Sequence, residues 1–143
     1  MKKIVSVVLL FAVCLVSFSS CTFVTDALEA EKLLKSFVEV LAQGDVDAAM
    51  EYIHPSSEIT RSDVVFLIDK LKTDYKIELS EGVEYLSCTN LSTNWSLTGS
   101  AFFQIGYYAE VGERTIQISG ALAKDDEGFG ITAFAITSTL QIG

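Results

Sequence analysis

The chain has 143 residues, half of them hydrophobic, with one proline and three cysteines; that suffices for one domain with a core of its own and is too little for two. Acidic side chains outnumber basic ones 19 to 10, a formal charge of -9. No cluster of Lys or Arg offsets this excess, which argues against nucleic acid and anionic membrane surfaces as partners.

Three zones precede Cys21. Lys2 and Lys3 form a basic start, Ile4 to Val16 is an apolar run broken only by Ser6, and Ser17, Phe18, Ser19 and Ser20 lead up to the cysteine. This is the layout of an export signal, and the run is shorter than the roughly 20 residues a spanning helix needs. It resembles a bacterial lipoprotein signal, in which small residues, here Ser19 and Ser20, precede a cysteine that receives diacylglycerol. Phe18 stands where Leu is usual. The resemblance implies removal of 1–20, lipidation of Cys21, a short tether over 21–25 and one domain over 26–143. Thr22, in place of a retaining Asp, implies the periplasmic side of the outer membrane in a cell that has one. Cleavage after Ser19, giving a soluble secreted protein, and a retained anchor stay open. On the lipoprotein reading Cys14 is discarded, and Cys88 is expected to be a lone, buried, inert thiol; if Cys21 keeps its thiol, a bridge to Cys88 stays open.

A first helix is expected from Asp26, with Glu29 at capping-box distance. Ala30, Leu33, Leu34, Phe37, Val38 and Leu41 form its apolar face, and Gly44 ends it. Asp45 is placed to cap a short second helix that stops before Pro55. Thr60 and Asp63 form a capping box for a third, whose apolar residues are Val64, Phe66, Leu67, Ile68 and Leu71.

Beyond Tyr75 the period changes, with Ile77, Leu79, Val83, Tyr85 and Leu86 lying around the turn-like "SEG". A long strand is expected over 94–111, with Gly99 and Gly106 as points of bending. Two more strands follow, reversed at "VGE" and "DDEG". Helices followed by strands predict an α+β domain, with N-terminal helices packed on a curved antiparallel sheet of about four strands. The order resembles the NTF2-like, cystatin-like-fold superfamily. "FVEVLAQGDVDAAMEYIHP" and "GFGITAFAI" carry the resemblance, which implies a strongly bent sheet enclosing a cavity with the helices.

Residues with chemistry are few. His54 is the only histidine, and no metal-binding or phosphate-binding motif accompanies it. Read as an exposed helix-end residue, it has Glu51 and Glu58 as neighbouring carboxylates. Asp45 and Asp47 in "GDVD" are acidic enough to consider for a cation, but the helix cap already accounts for Asp45; Asp125, Asp126 and Glu127 read as a solvated turn. Asn94, Gln104, Tyr108, Glu110, Thr115, Gln117 and Ser119 read as a solvent-facing row. The candidate pocket lining implied by the resemblance is Trp95, Phe103, Tyr107 and Phe134. No cofactor or metal is expected. The expectation is a lipid-anchored, non-catalytic envelope module that binds a small molecule or an envelope protein. The alternative is a small pocket enzyme of isomerase or lyase type, built from a tyrosine and a carboxylate sharing a cavity.

Overall fold

The computed structural model describes residues 24–138, so the expected signal, its cleavage and the acylation of Cys21 lie outside the described residues. Among the described residues the architecture is α+β: three helices, then a four-stranded antiparallel meander in the order β1-β2-β3-β4.

Helix α1 covers 24–43. Its expected face is the buried one, with Ala30, Leu34, Phe37, Val38 and Leu41 all in the core. Gly44 takes φ +72 at its end, a conformation that costs glycine little. The start differs from expectation. The helix is already under way at Val24, so Asp26 is not its cap; its buried carboxylate meets Lys124 Nζ at 2.6 Å.

Helix α2 (Val46–Met50) is capped by Asp45, which accepts the Ala48 N–H at 3.0 Å. Helix α3 (Arg61–Thr73) carries the full Thr60/Asp63 capping box, which answers two of the backbone donors that every helix start leaves open. Its Val64 and Leu71 are buried, whereas Phe66 is 65% exposed. A short 3-10 turn, Leu79–Glu81, leads into the sheet.

The strands are β1 (Glu84–Trp95), β2 (Ala101–Val111), β3 (Arg114–Asp125) and β4 (Gly128–Ser138). The single strand expected over 94–111 is thus two strand segments: the chain reverses between Trp95 and Ala101, with Gly99 at φ +86 in the turn. Alternating apolar residues on both sides of a turn mimic one long strand, because the period of two continues across it. The reversals at Gly112 and after Asp125 fall where expected.

Along β2, Ala101, Phe103, Ile105, Tyr107, Ala109 and Val111 are buried, while Phe102, Gln104, Tyr108 and Glu110 face solvent. The helices cover the buried face. Leu34 of α1 lies over Gly120 of β3, where an added Cβ would come within 2.5 Å of its Cδ1. Phe37 meets Phe134 of β4 edge-on at 4.9 Å.

The two edges of the sheet are treated differently. β4 is covered by the segment after α2: Ile53 bridges Ile131, the His54 N–H donates to the Ile131 carbonyl at 2.9 Å, and the Ile131 N–H donates to the Tyr52 carbonyl at 2.8 Å. β1 lies at the other edge and is exposed along most of its length. Cys88, expected to be buried, is exposed for that reason.

Candidate functional site

Two places bring chemistry together. The first is a cleft of about 320 Å³ between α3 and the buried-face side of β4. Its walls are apolar: Phe37, Ile59, Val64, Leu67, Phe134 and Ile136, with Phe66 and Tyr75 at the opening. Asp63 and Lys70 are the charged residues on its lining. Asp63 is engaged in the helix cap, and its Thr60 hydroxyl and N–H partners hold its carboxyl below the ordinary range. Lys70 Nζ stands 5.6 Å from the centre of the Phe66 ring and 6.0 Å from that of Tyr75. The cleft therefore pairs a greasy interior with one cation at its mouth.

The four residues expected to line a single pocket are dispersed. Phe134 lines this cleft. Phe103 and Tyr107 belong to the core, and Trp95 is 46% exposed on the edge strand. The Tyr107 phenol is close enough to Glu31 to bear on its charge, and Lys35 holds that carboxylate at 2.7 Å. Glu31 lies below the ordinary range, chiefly through Lys35, and burial pushes Tyr107 up. Its neighbour Tyr85 is pushed up to about 12 by burial, with Glu39 adding to it. Both partners of the Tyr107–Glu31 pair move away from neutrality, so it holds charge in place and is poorly tuned for proton exchange at neutral pH.

The second place is a charged cluster around His54, which sequence reading missed. His54, expected to be exposed, is 1% exposed. Its Nε2 lies 3.1 Å from Asp125 Oδ1, and its Nδ1 lies 2.7 Å from Ser56 Oγ. The Ser56 backbone N–H points at the same Nδ1 from 3.1 Å. A backbone N–H can only donate, so Nδ1 is the acceptor and the ring proton sits on Nε2, facing Asp125. Asp125 Oδ1 also accepts the Glu127 N–H at 2.8 Å. That bond, with His54 adding to it, holds the Asp125 carboxyl below the ordinary range. Ligand atoms of His54, Asp125 and Glu127 all lie within 4.8 Å of one another.

Local sequence held no signal for this cluster. His54 and Asp125 are 71 positions apart and meet because the Ile53–Ile131 bridge lays the post-α2 segment along β4. Asp47, the other acid considered for a cation, pairs with Arg61. No family model and no curated protein matches the chain.

Proposed function

We propose that the chain is a lipid-anchored protein of the bacterial cell envelope, fastened through Cys21, whose domain binds an amphipathic ligand in the cleft between α3 and β4 without transforming it. The observation that carries this reading is the cleft itself. About 320 Å³ is at the lower end of the roughly 300–1,000 Å³ of small-molecule sites. Its walls are apolar, its one acid is committed to a helix cap, and its cation stands at the mouth. A ligand with a hydrocarbon or aromatic body and an anionic head, such as a medium-chain carboxylate, fits that distribution of charge.

The NTF2-like assignment belongs to the same proposal. Its support is the order of helices before a four-stranded antiparallel meander; the sheet has register shifts at Tyr85/Ser87, Cys88/Asn90 and Ala121/Leu122 but lacks the strong bend that the resemblance implies.

Calorimetric titration of laurate into the full chain tests the binding reading. Saturable binding is expected, weakened about tenfold in Phe66→Ala by the loss of roughly 1–2 kcal/mol of apolar contact. It should be abolished in Ala135→Trp, which fills the cleft. Absence of saturable heat with the unaltered chain sinks the reading. Intact mass of the membrane-derived protein tests the anchor separately, through acyl mass on Cys21.

A second reading is favoured by the His54, Asp125 and Glu127 cluster, and it supports the enzyme alternative. Those three could hold a divalent cation if His54 shed its Nε2 proton and took one on Nδ1, which would turn the Ser56 N–H away. Such an ion would supply Lewis-acid chemistry beside the Ser56 hydroxyl. Titration with zinc chloride discriminates: a rise in the thermal midpoint that Glu127→Gln removes supports a cation site, and no rise dismisses it.

A further inference from the structure

We propose that the end of the β1–β2 hairpin dips into the headgroup boundary of an electrically neutral lipid bilayer, beside the point where the N-terminal segment reaches the domain. This rests on the anchor reading for the identity of the surface.

Charge is the first observation. A fifth of the chain is charged, yet no residue from Tyr85 through Ala109 is Asp, Glu, Lys, Arg or His. That stretch contains all of β1 except Glu84, and the whole β1–β2 turn. Edge strands in soluble proteins are normally guarded by charge, Lys above all, or by proline; β1 carries none beyond Glu84.

Exposure is the second. Leu97, at the tip, is fully exposed, and Trp95 and Phe102 on either side of it are about half exposed. Trp95 is registered with the buried-face residue Ala101, while Phe102 lies on the opposite face. Apolar groups thus point to both faces and off the tip. A protein partner laid on the sheet would cover one face; a fluid medium entered tip first covers all three directions. The turn also answers much of its own hydrogen bonding. The Ser96 N–H donates to the Ser100 carbonyl at 2.9 Å, the Gly99 N–H to the Ser96 carbonyl at 3.2 Å, and the Ser96 and Thr98 hydroxyls bond at 2.5 Å. This lowers the cost of leaving bulk water. Trp, with an apolar body and one donor, is the residue type that favours the interface.

Position is the third. Lys124 of β3 is registered with Ala101, and Ala101 with Trp95. The two strand spacings put Trp95 about 10 Å across the sheet from Lys124. Lys124 in turn holds Asp26 and Glu29 of the first turns of α1, at 2.6 and 3.6 Å. The hairpin tip and the entry of the chain into the domain therefore share one end of the molecule. Val24 and Leu28, more than half exposed on α1, add apolar surface there. The acidic β3–β4 turn, Asp125 to Glu127, lies at the same end and makes the preference one for neutral over anionic lipid.

Trp95 is the single tryptophan, so its fluorescence reads the contact. The full chain is reconstituted into phosphatidylcholine vesicles with brominated acyl chains. The expected result is a blue shift and loss of most of the emission, reduced as phosphatidylglycerol replaces phosphatidylcholine. Leu97→Asp, a change at a fully exposed position, should restore the emission while far-ultraviolet circular dichroism stays the same. Emission that vesicles leave unchanged in protein carrying acyl mass on Cys21 overturns the hairpin proposal and leaves the anchor standing. Quenching in protein without acyl mass overturns the anchor and supports the hairpin. A blue shift that grows with protein concentration in the absence of lipid assigns the tip to a second copy and overturns the membrane contact.

Discussion

His54 shows how little a residue's neighbours in sequence say about its partners. Beside Pro55 at a helix end, with Glu51 and Glu58 nearby, it reads as a solvated side chain; in the fold its ring is buried, and both nitrogens are bonded to Ser56 and Asp125. Burial of a polar ring is tolerated because those partners replace the water it loses. The bond has a pH consequence whose sign follows from Asp125, whose carboxyl is held low by the Glu127 N–H and by His54. A carboxyl lowered on folding contributes stability that is fully present above its unfolded value of about 3.9 and is lost as pH falls through the lowered value. Urea midpoints of the unaltered chain and of Asp125→Asn should therefore differ at pH 6 and converge in more acid solution. A gap that is constant with pH would show that the carboxylate charge plays no part.

At the level of elements, the helices follow from local chemistry and the β4 edge does not. Thr60 with Asp63, Asp45, and Gly44 each meet a backbone need within a few residues, so their roles are readable in the sequence. Gly130 answers a distant need. An added Cβ would come within 2.6 Å of the His54 nitrogen, 2.8 Å of its Cα and 2.9 Å of the Tyr52 carbonyl oxygen. These are backbone atoms held by the Ile131 bonds, with no flexible side chain to yield. Gly130→Ala should cost about 1–3 kcal/mol in urea denaturation and speed hydrogen exchange at the Ile131 and His54 amides. Unchanged exchange at both would mean that the covering segment is not held by this contact. The turn at Ser96–Ser100 was hidden for a different reason: Trp95 and Ala101 continue the alternation that a single strand would have.

Over the whole molecule, the sequence determined the features that short-range physics controls. These are the apolar face of α1, the caps of α2 and α3, the meander after Tyr75, the acidic surface and the α+β order of its elements. The export signal ahead of Cys21 remains a proposal read from composition and spacing, on residues outside those the structure describes. Tertiary structure decided whatever depends on which elements meet. It buried His54 against Asp125, dispersed Trp95, Phe103, Tyr107 and Phe134 among edge, core and cleft, and opened Cys88 to solvent on an edge strand. It also brought α3 alongside β4, forming a cleft that neither element's pattern contains. The division has one physical cause: caps, turns and amphipathic faces are settled within a few residues, whereas burial, pairing and concavity are properties of surfaces brought together from far apart in the chain.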